Sequence, residues 1–154
     1  MTSPIRLDTG TWIVVADGEK ALFLENAGDA QDYNFQIRRI EEHENPPNRD
    51  QTASAPGRRS DGVSGHKSSM EETDWHQLEK DRFARELADI LYLQAHRGRF
   101  DRLVIVAGPH VLGEMRGHLH KEVRDKVIAE IPKTLTGQPL DAIERSVRAD
   151  LAKG

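Results

Sequence analysis

Two runs of consecutive apolar and β-branched residues, Trp12-Ile13-Val14-Val15-Ala16 and Leu103-Val104-Ile105-Val106-Ala107, constrain this chain more than any other feature. A strand with one wet face alternates apolar and polar residues. A run with no polar residue reads as a strand buried on both faces, which requires a layer of structure on each side of the sheet. The 154 residues are the size of one ordinary domain and can bury one sizeable core. We read the whole chain, 1–154, as that one domain.

The elements around the two runs follow from local signals. Asp17-Gly18 directly after the first run is a hairpin signal, with Ala21-Leu22-Phe23-Leu24 as the partner strand. Tyr33, Phe35 and Ile37 alternate with Asn34, Gln36 and Arg38, predicting a half-buried third strand that ends near Glu42. Pro46-Pro47 stops it, because proline cannot donate to a sheet ladder. A long glycine- and serine-rich segment, about 44–73, comes next. Its apolar residues besides proline are Ala53, Ala55, Val63 and Met70, too few to offset the entropy of ordering, so the expectation is a flexible loop. Loops of this length in compact domains are usually functional or disordered.

Thr73-Asp74, with Gln77 three residues past Asp74, reads as a capping box opening a helix. Phe83, Leu87, Ile90 and Leu91 follow helical spacing, Asp81–Arg85 and Arg82–Glu86 are opposite charges at i,i+4, and Gly98 supplies the stop. After the second apolar run, Gly108-Pro109 opens a helix with Leu112, Met115, Leu119 and Val123 as its buried stripe. Gly113 and Gly117 lie four apart there, a spacing that permits close approach of another backbone. Val127 to Ile131 is a short strand, and Leu140, Ile143, Val147 and Leu151 line one side of a last helix. The fold class is therefore α/β: an antiparallel meander followed by α-β-α-β-α, giving a mixed sheet with helices on its faces.

Composition excludes several functions. There are no cysteines, hence no disulfide, thiolate metal site or cysteine nucleophile. A net charge of −4 argues against a surface that coats nucleic acid generally but leaves room for a local basic patch. Aromatics at 5% are too few for a base-stacking platform. Met1 to Gly10 lacks the pattern of a signal peptide, and no apolar run approaches the ~20 residues that span a bilayer. The expectation is a cytoplasmic protein with no membrane partner.

The candidate site residues are basic. Arg58 and Arg59, then His66 and Lys67, sit among glycines in the 44–73 segment, a composition able to grip phosphate. Solvated linkers have the same composition, and no Walker spacing occurs. His110 follows Gly108-Pro109 at a strand-to-helix junction of the kind that lines ligand crevices in open α/β sheets. An ordinary β–α turn is the simpler reading there. Arg116 is a further anion candidate. His118 and His120 are about 200° apart on a helix and do not converge on one metal, so no metal site and no cofactor are expected. Asp17 is explained by its turn. No Gly-x-Ser-x-Gly elbow occurs, and no nucleophile can be paired with a base, which favours a binding module over an enzyme.

Trp12 to Asp17, Gly57-Arg58, Arg82-Phe83-Ala84-Arg85-Glu86-Leu87, Leu103 to Ala107, Leu112-Gly113-Glu114-Met115-Arg116 and Lys133-Thr134-Leu135-Thr136 resemble, in this order, the bacterial host attachment protein family, "protein required for attachment to host cells". That family is similar to the middle domain of archaeal and eukaryotic peptide release factors and Pelota. The resemblance implies a ribonuclease H-like mixed sheet and a working loop ahead of the Arg-Phe-Ala-Arg helix. In release factors that loop carries Gly-Gly-Gln into the peptidyl-transferase centre. Here the 44–73 segment has Gln51 as its single glutamine and no Gly-Gly-Gln, and Gly137-Gln138 belongs to a later turn. The implied partner is the ribosome or structured RNA, contacted by Arg58, Arg59, His66, Lys67, Arg116 and His110. Two alternatives stand beside it: a protein-interaction factor in host attachment or envelope physiology, and a hydrolase on an RNA or ester substrate.

Overall fold

A computed structural model describes residues 5–42 and 62–153, with the backbone path alone for 62–74 and 76. The elements are β1 (Trp12–Ala16), β2 (Lys20–Asn26), β3 (Phe35–Glu42), α1 (Gly62–His96), β4 (Leu103–Ala107), α2 (Pro109–His118), α3 (Lys121–Arg124), β5 (Val127–Ile131) and α4 (Leu140–Ala152). The sheet order is β3-β2-β1-β4-β5. β1 pairs antiparallel with β2 and parallel with β4, and β4 pairs parallel with β5. The two apolar runs are thus neighbouring strands at the middle of a mixed α/β sheet, and every residue of both is buried.

Two apolar layers cover the sheet. Trp12, Val14, Phe23 and Ile105 pack under Phe83, Leu87 and Leu91 of α1 and under Leu112 and Met115 of α2. Ile13, Val15, Leu24 and Val106 face Ile143, Val147 and Leu151 of α4 on the other side, with Leu7 and Phe35. Alternate residues of one strand feed opposite layers, which is why neither run tolerates a polar residue. Each Leu or Ile in these layers stabilises by roughly 1.5–3 kcal/mol relative to exposure. Gly98 ends α1 in a left-handed conformation (φ 73°), with its N–H bonded to Ala95 O.

Several expectations need correction. α1 begins at Gly62 rather than at Thr73-Asp74, so residues 62–73 of the expected 44–73 loop are helical. Adding turns to an existing helix carries no nucleation cost, and Lys67, Met70, Glu71 and Glu72 are good helix formers, so the capping residues at 73–74 do not stop it. Residues 43–61 lie outside the described residues. β3 starts at Phe35, and Ile37 and Ile40 on this edge strand are about half exposed. The Asp17-Gly18 hairpin is present, but Gly18 has no positive φ; a Cβ there would lie 2.8 Å from Lys80 Cγ, so space rather than turn type asks for glycine. Among the described residues nothing lies within 4 Å of a Cβ built on Gly113 or Gly117, so none of them brings its backbone close there. Arg82 pairs with Glu79 at 3.1 Å, and Asp81 turns toward α2.

Candidate functional site

At the carboxyl ends of the parallel strands, β1 turns one way into β2 while β4 turns the other way into α2. Such a divergence is where open α/β sheets bind ligands. Here the chain's own segment after β5 crosses it. The Thr136 hydroxyl donates to Asp17 Oδ2, and Asp17 Oδ1 accepts from the backbone N–H groups of Glu19 and Lys20, each at 2.7 Å. A Cβ on Gly108 would come within 2.9 Å of Thr134 Oγ1, so glycine lets this segment lie close over the β4–α2 turn. Asp17 and Thr136 tie the segment after β5 across this junction.

His110 stands outside that clasp, on the first turn of α2. Its Nε2 lies 2.6 Å from the Gln77 amide nitrogen and 3.5 Å from Asp81 Oδ1. Gln77 also donates to Asp81 Oδ1 at 3.1 Å. In the tautomer protonated on Nδ1, one Gln77 amide group serves both acceptors. Ligand atoms of Asp81, His110 and Glu114 all lie within 4.8 Å of one another, the arrangement among the described residues that could hold a divalent cation. The site is exposed or half-exposed and acidic, so it repels rather than attracts a phosphate. Sequence reading missed Gln77, Asp81 and Glu114 because they lie on α1 and α2, far from one another in the chain, and meet only through helix packing.

The remaining candidates are dispersed. Both Arg116 guanidinium arms reach Glu130 on β5, and this hydrogen bond, then the charge of Glu130, raises the arginine's pKa above its ordinary value. Arg116 is engaged in that exposed ion pair. His120 packs at a tilt of 31° against Tyr92 with ring centres 4.1 Å apart, and its Nε2 lies 3.8 Å from Asp89. His118 ends α2. Arg58 and Arg59 lie outside the described residues. His66 and Lys67 fall within the first turns of α1. Among the described residues, the hydrogen bonds of α1 to the rest of the fold begin at Gln77 and its core contacts at Phe83. Residues 62–76 form about four turns, ~22 Å, of this helix.

The chain matches the family model of bacterial archaeo-eukaryotic release factor family 12 over residues 10–147. It belongs to this release factor family. The match runs from the turn before β1 into α4 and so spans the whole sheet, including the Asp17 clasp and the His110 group. A comparison with curated proteins yields no match. Within this release factor family member, no helix among the described residues is long and apolar enough to cross a membrane.

Proposed function

We propose that this release factor family member is a ribosome- or RNA-associated binding module, and that it does not hydrolyse peptidyl-tRNA through a Gly-Gly-Gln device. The observation that carries the reading is α1 itself. A 35-residue helix, whose residues from Phe83 on join the core, carries His66 and Lys67 near its start and follows the segment holding Arg58 and Arg59. A helix N-terminus carries partial positive charge, which adds to these side chains in attracting phosphate. Glu71, Glu72 and Asp74 follow this basic group in the sequence. Family membership supports the translational setting. The sequence lacks Gly-Gly-Gln, and the clasped junction offers no nucleophile with a base, which supports binding over cleavage. The test is co-sedimentation with ribosomes at low and raised salt, comparing the natural protein with Arg58→Ala/Arg59→Ala.

A second reading draws on a different feature. Trp75 and Leu78, one helical turn apart on α1, are 41% and 55% exposed. Large apolar residues at i,i+3 on an extended helix suit a protein partner, since tryptophan anchors dominate interface energies. A role in host attachment or envelope physiology would act through such a partner. Trp75→Ala/Leu78→Ala that leaves ribosome binding intact but abolishes capture by a purified partner would favour this reading.

A further inference from the structure

We propose that the groove between β3, the start of β1 and the turn after α1 is a binding site for a phosphate-bearing ligand. It is lined by Trp12, Glu25, Arg38, Arg39, Gln94 and Arg99, with a volume of roughly 550 Å³. Consecutive strand residues point to opposite faces, so Arg38 and Arg39 in a regular strand would be separated by the sheet. Here Phe23 pairs with Arg39 and Leu24 with Ile37, which leaves Arg38 as the extra residue of a β-bulge. The bulge brings both arginines to the side of Trp12 and Glu25, the re-aiming that bulges perform near functional sites. Gly98, at φ 73°, turns the chain so that Arg99 joins them.

Three guanidinium groups therefore meet one lining carboxylate. Arg38 pairs with Glu25 at 2.7 Å and Arg39 with Glu41 at 2.6 Å, both on exposed surface. Among the described residues the Arg99 side chain pairs with no carboxylate. Exposed ion pairs contribute only about 0–1 kcal/mol, whereas bidentate arginine–phosphate bonds are charge-assisted on both sides, so a phosphate displaces the carboxylates at little cost. The geometry also selects the ligand part that is read. Trp12 is 6% exposed and stacks on Phe100 with ring centres 5.2 Å apart, so its face is not open to a base. The groove reads phosphate. It lies at the amino end of β1, about 16 Å along the chain from Asp17, and takes no residue from 62–76.

Calorimetric titration with sodium tripolyphosphate tests this, with emission of Trp12 followed in a Trp75→Phe background where it is the one remaining tryptophan. Saturable binding with a Trp12 response is expected. Arg99→Ala and Arg38→Ala should each weaken it at least tenfold, while Arg145→Ala, on exposed α4 surface, leaves it unchanged. A parallel titration with a ten-nucleotide oligouridylate distinguishes the sources: binding tighter than tripolyphosphate identifies an RNA backbone, and weaker binding identifies a free oligophosphate, either supporting the site. No saturable binding, or equal weakening by Arg145→Ala in variants with native circular dichroism, overturns it.

Discussion

Replacing Asp17 by alanine should cost stability, because this carboxylate holds two parts of the fold rather than performing chemistry. One oxygen accepts the N–H groups of Glu19 and Lys20, and the other accepts the hydroxyl of Thr136, which is buried. The Glu19 N–H is exposed and recovers a water, so its loss is small. The Lys20 N–H is part-buried, and the Thr136 hydroxyl would be left without its partner at a cost of about 1–3 kcal/mol. Hydrogen bonds to a charged acceptor contribute about 1.5–3 kcal/mol each, so the whole change is about 3 kcal/mol. For a domain of this size that lowers Tm by roughly 6–12 °C. Thr136→Val alone should cost about 1 kcal/mol, and in the double variant the losses should fall short of their sum by at least about 1 kcal/mol. Urea unfolding of the four proteins measures this cycle. Additivity within about 0.3 kcal/mol, or an Asp17→Ala loss below about 0.5 kcal/mol, would refute the clasp.

Gly28→Ala places a Cβ 2.1 Å from the backbone oxygen of Asp32 and 2.9 Å from Asn34 N, so the turn before β3 must shift; a loss of about 1–3 kcal/mol should be seen in the same urea assay. The Asp29 carboxyl is held below its ordinary value of 3.8 by the backbone N–H of Asp32 and then that of Gln31. A lowered folded-state pKa favours folding above the unfolded value, and that contribution is lost as pH falls through the folded value. Carboxyl NMR should therefore show Asp29 titrating below the same residue in an unfolded peptide, and equal midpoints would contradict the turn geometry. Asp141, lowered chiefly by its hydrogen bond from Arg145, should rise toward the ordinary value in Arg145→Ala.

The central sheet was legible because burial on both faces writes itself into composition: no polar residue interrupts Trp12–Ala16 or Leu103–Ala107. The helix ends at Gly98 and around Pro109 were legible for equally local reasons, a left-handed glycine and a fixed proline φ. The start of α1 was not, because Thr73 and Asp74 carry a capping signal that a growing helix passes through. Pairing geometry hid the rest. The bulge at Arg38 depends on the register against β2, and the groove it builds unites residues from four separate stretches, on β1, β2, β3 and the end of α1. The His110 group likewise exists only once α1 packs on α2. Sequence placed His110 at a strand-end crevice, but not the acidic neighbours that change what it can bind.

The central claim, that the far end of α1 and its basic approach bind RNA on the ribosome, is tested most directly by ribosome co-sedimentation across a salt series. With Arg58, Arg59 and Lys67 as about three phosphate contacts, affinity should fall about twentyfold between 50 and 200 mM salt, at a log–log slope near −2. Arg58→Ala/Arg59→Ala should bind more weakly at every salt and lose only about threefold over that range, as about one contact remains. Equal binding by both proteins, or a pellet fraction indifferent to salt, would contradict the account.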